Sequence, residues 1–323
     1  MHSAVHKTNS RKLLVLGILV AAAAIAYLFV DVSFSNERLF RYAMKIRIPK
    51  LMVMLVASAA IGGATIVFQT IIHNTIVTPC LLGMNSLYTL IHTAVVFFAG
   101  SGSFLAVNAN VSFVVDLFLM STTAVLVYSY LFKKTNYNVL YVLLIGTVLT
   151  SFFGSIQSTL TRIMDPNEYD SLLATLVASF NNVNSEIILA AVLVLAGIVF
   201  VLRKELALLD VLSLGRHQAI NLGVDYDRAI RKLLLGVTLP PATAMVGPIS
   251  FLGLIIANLS RQFLKTYRHS QLIMGSVFFG MFVLAAGQMI SEQIFVYAIP
   301  VSVFITVGGG GYFLYLLLRK RRS

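Results

Sequence analysis

The sequence predicts an all-α, polytopic membrane protein of about ten transmembrane helices, with both termini cytoplasmic. Three observations predict it. About ten hydrophobic stretches fill the 323 residues, and almost none carries a charge. Hydrophobic residues make up 58% and charged residues 11%, where soluble domains average about 25% charged. Basic residues concentrate in alternate loops, the pattern that sets membrane orientation. Mean hydropathy is +0.89.

Residues 13–30, 51–72, 81–99, 111–132, 139–160, 186–202, 271–290 and 299–318 each read as one crossing. A helix rises about 1.5 Å per residue, so about 20 apolar residues span a hydrocarbon core of about 30 Å. Residues 231–265 are too long for one crossing and hold Pro240, Pro241, Gly247 and Pro248. They are expected to form two short helices, 231–246 and 249–264, joined by a tight turn. The basic start and apolar run resemble a signal peptide, but no convincing cleavage site follows residues 13–30, so an uncleaved first span is expected. The chain, 1–323, is expected to be a single transmembrane domain with one large cytoplasmic loop at 203–230.

With an even number of spans, both termini lie on one side. Eighteen of the 24 Lys and Arg then fall on that side, against four acids, Glu205, Asp210, Asp225 and Asp227. The positive-inside rule makes that side cytoplasmic. The net +12 splits into about +14 inside and −2 outside. Topology and anionic membrane lipid account for this charge, and it gives no argument for nucleic acid. Cys80 is the only cysteine, which excludes an internal disulfide and a cysteine-based metal site. No cofactor and no metal ligand set is expected.

Two loops stand out. The first outer loop carries Arg38, Arg41, Lys45, Arg47 and Lys50 against Asp31 and Glu37. Insertion does not require five cations outside. They read either as a solvated, lipid-contacting face or as a docking surface for an acidic partner. The inner loop 203–230 holds two apolar-periodic pieces, 206–214 and 219–222, separated by Gly215 and ended by Gly223. It reads as two short helices that lie on lipid or fit a groove in a soluble subunit. Asp210, Asp225 and Asp227 disfavour lipid.

Other polar positions have structural readings. Gly62-Gly63 and 57–60 give a small face that lets helices pack closely. Gly308–Gly311 lie inside a hydrophobic run, so close helix contact is expected there rather than a phosphate loop. His92, within a span, is expected to be a hydrogen-bonded core histidine. Gln69 and Asn74, at the cytoplasmic end of the second span, can cap the helix or line a pathway.

Residues Gln69-Thr-Ile-Ile-His73-Asn74-Thr-Ile-Val-Thr78-Pro79-Cys-Leu-Leu82-Gly83 resemble the Q-x(4)-N-P-L-A-x-P-x-x-L-G signature of the iron–siderophore and vitamin B12 permeases, the FecCD family of ABC transporters. Arg47-Ile-Pro49-Lys50 resembles the family's R-x-P-R, and Leu222-Gly223-Val224 its L-G-V. Gly247-Pro-Ile-Ser-Phe251-Leu-Gly253-Leu254-Ile255, followed by Arg261, is similar to G-x-I-x-F-I-G-L-I-V-P-H-x-x-R. Gly309-Gly-Gly311-Tyr-Phe313 resembles G-x-P-x-F. The motifs run in order from about residue 45 to the end.

The departures fall at defined places. N-P-L-A is Asn74-Thr75-Ile76-Val77, P-H is Ala257-Asn258, and E-x-P is Ala298-Ile299-Pro300. The outer Asp and Arg after the ninth span are absent; Gln288, Ser291 and Glu292 occupy that stretch. These variants resemble the second permease of paired catecholate-siderophore systems.

The resemblance implies a permease subunit of an ATP-driven iron–siderophore importer. Its implied partners are a second permease, two ATP-binding subunits and an extracytoplasmic substrate-binding protein. It implies docking of the binding protein on Arg38, Arg41, Lys45, Arg47 and Lys50. It also implies ATPase coupling through Leu214, Gly215, Ala219, Leu222, Gly223 and Val224. The residues agree on one point independently: no G-x(4)-G-K-[ST] occurs, so energy must come from another chain. The alternative is an ion-coupled secondary transporter. The broken region at 240–248 favours it, but no acid sits at midspan: Asp116, Glu186 and Glu292 fall near outer ends and Glu205 inside. An intramembrane enzyme would need a nucleophile–base pair, paired acids or a metal triad at helical spacing, and none is present.

Overall fold

In the computed structural model, residues 2–32, 34–135, 139–176, 178, 180, 185–238 and 241–320 are described. Pro240, Arg321 and Arg322 lie outside them. The elements in order are α1 (His2–Phe29), α2 (Glu37–Ile72), a 3-10 turn (Pro79–Leu82), α3 (Met84–Ala99), α4 (Phe104–Val107), α5 (Ala109–Lys134), α6 (Val139–Ile163), α7 (Pro166–Leu176) and α8 (Ser185–Ala207). There follow α9 (Leu209–Leu212), α10 (Arg216–Asn221), α11 (Tyr226–Thr238), α12 (Pro241–Val246), α13 (Leu252–Leu264), α14 (His269–Gln293) and α15 (Val301–Lys320).

Among the described residues, seven helical segments are long and apolar enough to cross a membrane. Three shorter apolar helices, Met84–Ala99, Leu252–Leu264 and Val301–Tyr315, bring the set to the ten stretches read from the sequence. The broken region, expected as two short helices, is described as α11, α12 and α13; it starts earlier than expected, at Tyr226, and residues 239–240 lie outside the described residues. The turn between α12 and α13 is made at Gly247, φ +86°, and Phe251, φ +62°.

One expectation is corrected. The basic stretch from Arg38 to Lys50 is helix, not loop: α2 begins at Glu37. Asn36 starts it, its Oδ1 accepting the N–H groups of Arg38 at 3.0 Å and Leu39 at 3.4 Å. That is N-cap geometry, and Glu37 places a carboxylate at the positive helix end. Pro49, inside the helix, removes one rung of its ladder, and the helix continues through it to Ile72. At about 1.5 Å per residue the 36-residue helix is about 54 Å long, well beyond a hydrocarbon core of about 30 Å.

The chain divides into two compact units. The first comprises 1–66, 179–188 and 250–323; the second comprises 67–178 and 189–249. In the first, α14 packs against α1, α13 and α15. Small residues set the spacing. A Cβ on Gly62 would meet Ser276 Oγ at 2.9 Å, and one on Gly280 would meet Ser58 Cβ at 2.9 Å. Close backbone approach is the main attraction between helices in lipid, where hydrophobic burial gives none. Of the run Gly308–Gly311, expected to make close helix contact, only Gly309 does so, under Phe251; the other three have nothing within 4 Å.

In the second unit, α3 packs against α5, α6 and α7, and α11 and α12 pack against α5. The 3-10 turn lies on α6. Gly146 of α6 makes this possible: a Cβ there would sit 2.7 Å from Leu81 O and 3.1 Å from Leu82 Cα, both backbone atoms. Gly154, two turns on, has nothing within 4 Å. Gly146→Ala should therefore destabilise the protein by about 1–3 kcal/mol through overpacking, while Gly154→Ala should be close to neutral. Thermal unfolding of the detergent-purified variants checks this, and equal midpoints would refute the tight seat of the turn.

Candidate functional site

The basic segment of α2 separates into two sets. Arg38, Arg41 and Lys45 are exposed, at i, i+3 and i+7, on one face. Arg41 pairs with Glu37 one turn earlier. Arg47 and Lys50 turn inward. Arg47 Nη1 donates to the carbonyls of Tyr27 at 2.9 Å, Leu28 at 3.1 Å and Val30 at 2.6 Å. These belong to the end of α1, where carbonyls lack partners and the helix dipole is negative.

Lys50 is 4% exposed and pairs with Glu292 Oε1 at 2.9 Å. The same oxygen accepts from Tyr27 Oη at 2.9 Å and Gln288 Nε2 at 2.8 Å. One carboxylate thus joins α1, α2 and α14. The Lys50 ammonium also lies 5.1 Å from the centre of the Tyr297 ring. Burial, then the charge of Glu292, pushes the Tyr297 phenol pKa up. Tyr297 and Val296 both have positive φ, +63° and +47°. For a β-branched residue this is a strained conformation. The turn is closed by Tyr297 N–H to Ser291 O at 2.9 Å and Ser291 Oγ to Ile299 O at 2.6 Å.

Gln69 and Asn74 close the other end of α2. Asn74 N–H donates to Gln69 O at 3.1 Å and His73 N–H to Thr70 O at 3.2 Å, with His73 at φ +52°. This is a Schellman cap, unusual in carrying histidine at the left-handed position. Gln69 Nε2 holds Thr75 O at 2.6 Å, and Asn74 Oδ1 accepts from Ile76 N–H at 3.0 Å. Gln69 is buried and Asn74 half-buried. Of the two readings left open for them, the geometry displays the capping one.

The segment read from the sequence as an inner loop is a compact hairpin of α9 and α10. Leu209, Leu212 and Ala219 are buried; Leu214, Ile220 and Leu222 are 54%, 45% and 63% exposed. Gly215 joins the helices at φ +95°, ψ 167°, a region that is essentially glycine's alone. Gly223, φ +80°, is the left-handed residue of a second Schellman cap: Val224 N–H donates to Ala219 O and Gly223 N–H to Ile220 O. Arg216 grips Asp227 with Nε at 3.2 Å and Nη2 at 2.9 Å. That carboxylate, through its hydrogen bonds first and its charge second, raises the arginine pKa. Lys232 Nζ meets Glu205 Oε1 at 2.6 Å.

Sequence reasoning missed the outward face of α6. Thr147, Ser151, Ser155, Ser158, Thr159 and Arg162 are exposed along it. Ser151, Gly154, Ser155, Gln157, Ser158, Thr159, Arg162 and Ile163 line a concave space of about 690 Å³. Ser155 Oγ donates to Ser151 O at 2.8 Å and Thr159 Oγ1 to Ser155 O at 2.9 Å. Their protons are thus spent on the helix, leaving acceptor lone pairs outward. The available signal was hydroxyls recurring every four residues in a span that lacks charge. His92, by contrast, is as expected: its Nε2 lies 2.8 Å from Asp116 Oδ2, and the Tyr88 ring lies 4.3 Å away, tilted by 50°.

Among the described residues the chain is helical, with ten apolar segments of membrane-spanning or near-spanning length, the architecture of an integral membrane protein. The chain belongs to the FecCD transport family, whose model matches residues 12–319. It is 41% identical over 285 residues to the petrobactin import system permease protein YclO of Bacillus subtilis, covering 87% of this chain and 90% of that one. It is 30% identical to the petrobactin import system permease protein FatC of Bacillus anthracis, over 86% and 79% of the two chains. A solved metal-chelate type ABC transporter in an inward-facing conformation superimposes with a TM-score of 0.82 at 24% identity, covering 96% of this chain and 99% of that one.

Breaking the Glu292 centre tests its weight. Lys50→Met should cost about 3–5 kcal/mol, because it strands a buried carboxylate. Adding Glu292→Gln should recover most of that, since the amide oxygen still accepts from Tyr27 and Gln288. Unfolding midpoints of the two variants decide it, and a double variant no better than the single would disprove the account.

Proposed function

We propose that this chain is one half of the membrane pathway of an ATP-driven importer of iron–siderophore complexes in the cell membrane. The second half is another permease subunit. Two ATP-binding subunits sit on the cytoplasmic side, and an extracytoplasmic binding protein delivers the chelate. The observation that carries this reading is the hydroxyl face of α6. A polar stripe on a spanning helix is tolerated where it faces water or protein, not lipid. A neutral hydroxyl lining also suits passage, since an oxygen-rich chelate must be wetted but not held. The petrobactin import permeases among the relatives, YclO and FatC, support the substrate class.

The exposed apolar tip of the α9–α10 hairpin, Leu214, Ile220 and Leu222, supports docking into a groove of an ATPase subunit. On the other side, Arg38, Arg41 and Lys45 form the basic face offered to the binding protein. Arg47 and Lys50 are spent inside this chain, so the docking set narrows to those three.

Ser155→Trp should fill the stripe and abolish chelate uptake in proteoliposomes while ATPase subunits still assemble. Full uptake by this variant would move the pathway elsewhere. Separately, Arg38→Glu, Arg41→Glu and Lys45→Glu together should weaken binding-protein association by about tenfold or more at low salt, and flatten its salt dependence. Affinity unchanged at low salt would remove these residues from docking.

A further inference from the structure

The α9–α10 hairpin is a 20-residue excursion, from 206 to 225, whose base is held shut. Glu205, at the end of α8, is 8% exposed, and its Oε1 meets Lys232 Nζ of α11 at 2.6 Å. Three residues before Glu205, Leu202 packs on Gly236, which lies four residues after Lys232. A Cβ on Gly236 would sit 2.2 Å from Leu202 Cδ1. The ion pair and the glycine contact therefore occupy one face of each helix, about one turn apart. The Arg216–Asp227 fork ties α10 to the first turn of α11. Force on the exposed tip thus reaches α11 through the Arg216–Asp227 pair and very little slack chain, while the Glu205–Lys232 pair holds α11 to α8.

Helix α11 touches more than α8. It packs on α5 and on the 3-10 turn Pro79–Leu82. That turn is seated backbone-to-backbone on α6 at Gly146, just before the hydroxyl face begins at Thr147. A contiguous line of packed elements runs from hairpin to α11, to the turn, to the foot of the stripe. Packed elements of this kind shift as bodies rather than deform.

We propose that α11 is a lever, that the Glu205–Lys232 pair is its fulcrum, and that the Pro79–Leu82 turn is the part it moves. Glu205 and Lys232 are positioning residues: they touch neither chelate nor nucleotide. This rests on the hairpin being the ATPase contact. It adds that the ion pair converts ATPase motion into a change at the inner end of the pathway, rather than only stabilising the fold.

The test uses the complete importer in proteoliposomes. Glu205→Gln, Lys232→Met and the swapped pair Glu205→Lys/Lys232→Glu are compared for chelate transported per ATP hydrolysed. The expected result is that each single variant assembles and hydrolyses ATP near the wild-type rate while transport per ATP falls about five- to tenfold, the low end of ordinary coupling free energies. The swap should restore most of the ratio. Single variants with an unchanged ratio overturn the lever. So does a parallel loss of assembly and transport in both singles that the swap fails to repair, which marks a merely structural pair. In the same samples, Leu222→Cys is cross-linked to an ATPase subunit. Cross-linking with an unchanged ratio sinks the fulcrum alone; absence of cross-linking in otherwise wild-type protein sinks the coupling reading beneath it.

Discussion

One oxygen atom, Glu292 Oε1, takes hydrogen bonds from an ammonium, a phenol and an amide carried by three helices. A carboxylate buried in a membrane protein is tolerable only when it is paired and fully hydrogen-bonded. Here that requirement fixes α1, α2 and α14 at one level. Tyr27, Lys50 and Gln288 must all arrive together, so none of the three helices can slide or rotate independently. The strained turn at Val296 and Tyr297 follows Glu292 directly and is held by Ser291. The strain is sustained because its surroundings are over-determined.

The same logic governs helix ends. Several helix ends carry a closure for the carbonyls that the helix itself leaves unpaired. Arg47 serves three carbonyls at the end of α1. His73 and Asn74 close α2, and Gly223 and Val224 close α10. Residues that resemble a binding set in a linear reading are thereby used as caps. Arg47, Gln69 and Asn74 illustrate this: each has a partner within the chain at hydrogen-bond distance.

Two exposed features lie in the second unit. The α9–α10 hairpin is short, glycine-jointed and tied to α11 by the Arg216–Asp227 pair, while Leu214, Ile220 and Leu222 at its tip are exposed. The α6 face combines hydroxyls with a lone arginine at its end. Neither feature improves the fold of an isolated chain. Under the proposed function, one meets a soluble subunit and the other lines a wetted path.

Hydropathy by itself determined the membrane class and the ten apolar segments, because the length of an apolar run is dictated by the bilayer and not by neighbours. Glycine placement determined the joints at 215 and 223, since positive φ is a local property. The motif order from Arg47 to Phe313 pointed to the family. What the sequence left undecided was where each polar side chain is spent. Lys50 reads as an outer cation until Glu292, 242 residues away, is seen beside it. The basic stretch reads as loop until Asn36 is seen capping it. The α6 hydroxyls read as ordinary span residues until packing shows which face of the helix is left uncovered. Those outcomes depend on contacts between segments far apart in the chain. A pattern confined to one segment carries no information about its partner, and so only the tertiary structure decided them.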